Sequence, residues 1–180
     1  MTSLRRVPTS DLTPEERDAI RALCDAAWGG PDQTFDDDDW QHALGGVHVL
    51  VQDAGEILAH ASVVPRTLHT GGLDVATGYV EVVATWPAHQ GRGHGTAVMR
   101  EVNDHVDRSF ALGALSTGVP AFYGRLGWIP WTGPTSVRVD GGERRTPDED
   151  GGVLVRLTPS SPDLDPAAPL SCDWRPGDVW

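Results

Sequence analysis

The sequence is poor in the residues that mark several large classes of protein. Only two cysteines, Cys24 and Cys172, occur in 180 residues, and they form no CxxC pair. Neither a disulfide framework nor a zinc knuckle is expected. No apolar run approaches the ~20 residues of a membrane-crossing helix. Residues 1–11 lack the apolar stretch of a secretory signal, so a cytoplasmic chain without a membrane partner is expected. Basic residues are also scarce. Fourteen Lys and Arg stand against 26 acids, a net charge of −12, which argues against the basic surface that a nucleic-acid partner requires. The seven histidines form no HxxxH or HExxH, so no metal site is expected. With 39% hydrophobic and 22% charged residues, the composition is that of a globular chain whose length suits a single domain over residues 1–180.

An acidic surface attracts cations and repels the phosphates of a nucleotide cofactor. A cofactor of that kind needs a local device to overcome the overall field. Along the chain, Thr13-Pro14-Glu15-Glu16 predicts a capped helix start. Ile20, Leu23, Cys24, Ala27 and Trp28 then form an apolar stripe, and Gly29-Gly30-Pro31 stops it. Cys24 on that stripe reads as a buried, inert thiol. The acids at 36–39 start a short second helix. Strands are expected at 47–52 and 57–64, a hairpin at Gly71-Gly72, and a long strand over 78–86. Val98, Val102, Val106 and Phe110 mark a further helix. A short strand at 114–116, a short helix at 120–126, strands at 128–139 and 153–157, and a polar loop at 141–152 follow. The Pro/Ser/Asp-rich stretch 158–171 reads as a surface crossing or a linker.

The most specific local signal is Gln90-Gly91-Arg92-Gly93-His94-Gly95, between the long strand and the helix after it. Glycines let backbone amides converge on an anion, and the first turn of a helix offers unpaired N–H groups with a positive dipole end. Arg92 adds a cation. The stretch is not GxxxxGK[ST], and it fails the GxGxxG spacing. A glycine-rich turn without a ligand is the bland alternative.

This Gln-x-x-Gly-x-Gly segment resembles the pyrophosphate loop of the GNAT acetyltransferase superfamily. Phe122-Tyr123-Gly124-Arg125-Leu126-Gly127-Trp128 resembles that superfamily's F-Y-x-x-x-G-F segment. The implied fold is α+β: a mixed, mostly antiparallel sheet of about seven strands flanked by four or five helices. The implied cosubstrate is acetyl-CoA, met by Val82, Val83 and Ala84 through backbone groups and by Gln90, Gly91, Arg92, Gly93, His94, Gly95 and Thr96 at the pyrophosphate. Further segments resemble the aminoglycoside 2′-N-acetyltransferases: Trp40 to Gly46, Gly78-Tyr79-Val80-Glu81, Leu112-Gly113-Ala114-Leu115-Ser116, Trp131 to Ser136, Arg145-Thr146-Pro147-Asp148, and the run Cys172-Asp173-Trp174-Arg175-Pro176-Gly177-Asp178-Val179-Trp180. The implied partner is a small polycationic aminoglycoside, bound by Asp39, Glu81, Ser116, Asp150, Asp178 and Trp180, with residues 158–180 closing the acceptor site. A homodimer is expected from the resemblance alone.

The chemistry is attack of a neutral amine on a thioester through a tetrahedral oxyanion. It needs a base, an oxyanion donor and a donor to the leaving thiolate. Glu81 is the candidate base. With a reference pKa near 4.3 it suits relay through an ordered water better than direct contact. A backbone N–H near Val82 or Val83 is the oxyanion donor, and Tyr123 the acid or hydrogen-bond donor to the thiolate. Each has a plainer reading: Glu81 as a cross-strand pair member, Tyr123 as a packed aromatic, Asp36 to Asp38 as a solvated helix start, Asp150 as a turn residue. Two tryptophans in the last seven residues predict a packed tail, carrying Asp178 and the carboxylate of Trp180 to a fixed place. Rival functions are the same chemistry on a cell-wall or thiol-sugar amine, a non-catalytic acidic module that sequesters cations, and, more weakly, a protein-lysine acetyltransferase.

Overall fold

The structure, a computed structural model, describes residues 2–30 and 35–180. It divides into two compact units, one of Met1–Val64 with Val80–Asp104 and one of Pro65–Tyr79 with His105–Trp180.

The first unit opens with β1 (Ser3–Pro8), a strand not expected from the sequence. α1 (Pro14–Trp28) starts with the expected capping box: Glu16 N–H donates to the Thr13 hydroxyl at 3.2 Å, and the Glu16 carboxylate accepts from Thr13 N–H at 3.0 Å. Gly29 caps its end, while Pro31, read as part of the stop, lies outside the described residues. α2 (Asp37–His42) is capped reciprocally by Asp36 and Asp39. β2 (Val47–Asp53), β3 (Glu56–Thr70) and β4 (Leu73–Thr85) follow, the last two running on into the second unit. β1 and β3 both pair antiparallel with β2. Ile20, Leu23 and Cys24 of α1 pack against Val7, Leu12, Leu50, Ile57 and Ala84, each large side chain contributing about 1.5–3 kcal/mol of burial. Cys24 is fully buried, and desolvation pushes its thiol up to about 12.

One buried polar feature interrupts this apolar layer. His48 and His60 are both fully buried, on diagonal positions of β2 and β3, and their rings meet at 2.9 Å between Nδ1 and Nε2. Desolvation lowers His48 to about 4 and His60 to about 3, so both are neutral in the native state. In the unfolded chain they titrate near 6.5. The unfolded state therefore binds more protons below that value. The pair's contribution is complete above pH ~6.5 and is lost as pH falls towards the folded values. In that window each ring costs about 1.4 kcal/mol of stability for every pH unit of acidification. Urea midpoints at pH 7.0, 5.5 and 4.5 should fall steeply, and a variant with both rings replaced by leucine should show a much flatter profile.

The second unit continues with α3 (His94–Ser109), which begins in the first, then β5 (Leu112–Ser116), α4 (Pro120–Gly124), β6 (Ile129–Pro130), β7 (Thr135–Val139), β8 (Gly142–Arg145), β9 (Val153–Leu157) and β10 (Leu170–Asp173). Its strand order is β6-β9-β5-β4-β3-β10-β7-β8. Two pairings are parallel, β4 with β5 and β10 with β7; the other registered pairs are antiparallel. Ten strands are present among the described residues, where about seven were expected. The stretch read as a single strand at 128–139 is broken between β6 and β7. Between them Gly133 packs directly on the later crossing, since a Cβ there would lie 1.9 Å from the Ala168 carbonyl oxygen. The same contact orders the crossing at 158–169. The Trp131 indole donates to Ala168 at 2.7 Å, and the backbone N–H groups of Thr132 and Gly133 donate to Pro166 at 2.8 and 2.9 Å. No described helix is long and apolar enough to cross a membrane.

Candidate active site

The expected site residues fall into two sets, one in each unit. The first set begins on β4. Its parallel ladder to β5 is three residues long, ending at Tyr79 and Ala114. Glu81, two residues on, is half-buried, and its carbonyl accepts from the Ser62 hydroxyl at 3.3 Å. Val82 has φ +55°. A β-branched residue in the left-handed region costs about 1–2 kcal/mol, and strain of this kind persists only where its surroundings impose it. Val83 is half-buried and Ala84 buried beside it.

The loop that follows has the geometry of an anion cradle. Gly91 and Gly93 hold φ +73° and +85°, and a Cβ on either would meet nothing within 4 Å. The backbone is therefore open to an approaching ligand. Arg92, between them, is exposed. The 16-residue α3 starts at His94, so the N–H groups of its first turn, including Gly95 and Thr96, lack intrahelical acceptors and sit at the positive dipole end. The Gln90 amide closes the loop on the Thr85 carbonyl at 3.4 Å. Asp39 also belongs to this unit. Its Oδ2 accepts from Asp36 N–H at 3.1 Å, so part of its acceptor capacity is committed to capping α2.

The second set gathers at the end of β5. The Ser116 hydroxyl donates to Glu149 Oε2 at 2.9 Å. Burial raises the Glu149 carboxyl above its ordinary value; Ser116 opposes the shift, while Asp178 and then Asp148 reinforce it. Glu149 was not among the expected residues. Its neighbour Asp150 was, yet Asp150 is engaged within the loop. It pairs with Arg145 at 2.6 Å and accepts from the Thr135 N–H and hydroxyl at 2.8 and 2.9 Å. The Arg145 hydrogen bonds, then those from Thr135, hold its carboxyl well below the usual carboxylate range.

The tail is packed, as two terminal tryptophans predict. Trp180 is 3% exposed, and its indole N–H donates to the Thr146 hydroxyl at 2.9 Å. Arg66 donates to the Val179 carbonyl at 2.8 Å, Arg175 to the Asp178 carbonyl at 2.7 Å, and Trp180 N–H to the Asp178 carboxylate at 3.1 Å. Both guanidinium groups lie over the Tyr79 ring, at 4.5 and 5.7 Å from its centroid. Tyr123, on α4, is 8% exposed, and burial pushes its phenol up to about 12. Among the described residues, no group of three or more His, Cys, Asp or Glu is arranged to hold a metal ion.

Comparison with known proteins gives a consistent result. The family model described as the acetyltransferase (GNAT) domain matches residues 9–130. An aminoglycoside 2′-N-acetyltransferase of Mycolicibacterium fortuitum is 43% identical over 180 residues, covering 98% of this chain and 91% of the relative. Among solved structures, a GNAT family N-acetyltransferase (YhbS) from Escherichia coli in complex with CoA superposes with a TM-score of 0.63 at 16% identity, covering 95% of this chain and 89% of the other. A GCN5-related N-acetyltransferase from Kribbella flavida gives 0.58 at 22% identity over 74% of this chain, which spans only 34% of that longer protein.

Proposed function

The chain belongs to the GNAT acetyltransferase family, and on that premise we propose that it transfers the acetyl group of acetyl-CoA to the 2′-amino group of an aminoglycoside. The observation that carries the acceptor assignment is the acidic cluster in the second unit, where Glu149 accepts from the Ser116 hydroxyl and feels the charges of Asp178 and Asp148. The neighbouring negative charges that help raise the Glu149 carboxyl are relieved when an ammonium arrives, and a partly enclosed wall makes the attraction worth about 4 kcal/mol at 4 Å, where bulk water leaves about 1. Asp39 is the further acid assigned to the polycation, with Ser116 and Trp180 shaping its site. Asp150 fixes the loop that presents Glu149.

The left-handed glycines and the open first turn of α3 suit a pyrophosphate, held by the main chain of residues 90–96 and by Arg92. Acetyl-CoA supplies the acetyl group as a thioester, whose C–S bond breaks as the amine nitrogen bonds to the carbonyl carbon. Glu81, acting through water, takes the proton that the ammonium must lose. The backbone N–H of Val83 stabilises the charge that develops on the carbonyl oxygen. Tyr123 donates a hydrogen bond to the departing thiolate, which takes up the second proton that the newly bonded nitrogen sheds. A reaction that consumes acetyl-CoA suits a cytoplasmic enzyme, and resemblance to the family supports a dimer that works without a metal.

The test is release of the coenzyme thiol from acetyl-CoA. Aminoglycosides with a 2′-amino group should support turnover, and counterparts with a 2′-hydroxyl should not. Equal rates for the two would defeat the regiochemical assignment, and no release with either would defeat the acceptor class.

A further inference from the structure

The buried histidine pair ends on the strained residue of β4. His60 Nδ1 lies 3.0 Å from the Val82 carbonyl oxygen, which can only accept, so Nδ1 carries the proton. In a neutral ring Nε2 is then an acceptor, and it receives Nδ1–H of His48 at 2.9 Å. The remaining nitrogen of His48 accepts in turn from the Thr9 hydroxyl at 2.8 Å. Thr9 Oγ1 is itself met by the N–H groups of Gly45 and Gly46 at 3.0 and 3.3 Å. The Gly46 carbonyl is a second, longer acceptor for that hydroxyl at 3.2 Å; with the Thr9 proton on the nearer His48 nitrogen, every proton in this chain points the same way, from the turn before β2 to the carbonyl of Val82. Aligned hydrogen bonds polarise one another in a low-dielectric interior.

We propose that Thr9, His48 and His60 form a positioning relay for catalysis, holding the Val82 carbonyl so that the Val83 N–H on the opposite edge of the same peptide is aimed and polarised as an oxyanion donor. The inference rests on the acetyltransferase reading above. A trans peptide is planar, with C=O and N–H opposed, so a fixed acceptor on one edge fixes the donor on the other. The relay also accounts for a valine at φ +55°: the carbonyl is captured by a ring that its own buried environment keeps neutral. Without that capture, the strand is free to relax to an ordinary extended conformation. His60 is a positioning residue and touches no substrate in this scheme.

Two amide replacements separate the possibilities. The Asn amide nitrogen takes the place of His Nδ1 and donates to Val82, whereas the Gln amide oxygen stands at Nε2 and accepts from His48, so H60N keeps the bond to Val82 and H60Q keeps the bond to His48. With acetyl-CoA and an aminoglycoside, H60N should retain kcat within about threefold, while H60Q should lose about tenfold or more. KM for both substrates should stay within about twofold of wild type in both variants. Equal kcat values in folded H60N and H60Q would overturn the relay alone. If neither folds, H48L/H60L decides, since it removes both rings together: a tenfold lower kcat with unchanged coenzyme affinity supports the relay, and an unchanged kcat refutes it. Wild-type protein that transfers no acetyl group overturns the functional reading and the relay together.

Discussion

Replacing Tyr123 by Phe should lower kcat by about 10²-fold while leaving KM for both substrates within about twofold. The phenol is pushed up to about 12 by burial, whereas a thiol sits near 8.5. Handing a full proton to the sulfur would be uphill by about 5 kcal/mol. Tyr123 therefore serves as a hydrogen-bond donor whose bond strengthens as negative charge builds on the sulfur, an interaction worth about 1.5–3 kcal/mol when one partner is charged. Because the phenol stays protonated across the working range, it should add no inflection to the rate profile below pH 10 or so. Steady-state kinetics of Tyr123→Phe decide the matter, and a wild-type kcat removes the residue from the mechanism.

Trp180→Ala should raise KM for the aminoglycoside by tenfold or more and leave the acetyl-CoA KM within about twofold. The indole is buried, and its N–H holds Thr146 at the start of the turn that carries Asp148, Glu149 and Asp150. Without the indole the last residue is no longer anchored, and its backbone N–H, which the Ala variant retains, no longer holds the Asp178 carboxylate in place, so the acidic cluster loses its fixed spacing. The coenzyme loop lies in the other unit and shares none of these bonds. A large rise in the acetyl-CoA KM, with the aminoglycoside KM unchanged, would make the tail a purely structural element.

Features with local causes were legible in the sequence. The Thr13 box, the stripe of α1, the glycine loop and the short helix bearing Tyr123 each depend on residues within a few positions of one another, and each is present. What escaped depends on distant partners. β1 is exposed along most of its length and exists because β2 offers it an edge. β10 is a four-residue strand in a polar stretch, ordered by β3 on one side and β7 on the other. β8 lies inside what reads as a polar loop. Among three consecutive acids, the sequence did not reveal that Asp150 meets Arg145 and Thr135 while Glu149 meets Ser116. The one-turn helix Pro147–Glu149 sets that division. His48 and His60 carry no motif spacing; their meeting follows from the register of two strands.

Both cysteines are fully buried, and desolvation pushes Cys172, like Cys24, far above the usual thiol range, to about 11. All 14 basic residues are arginines, so the chain has no lysine ε-amine either. Colorimetric disulfide reagents can therefore follow coenzyme release against a silent protein background. A single cysteine introduced at an exposed position becomes a unique handle for a fluorophore or spin label, with no native residue to remove first.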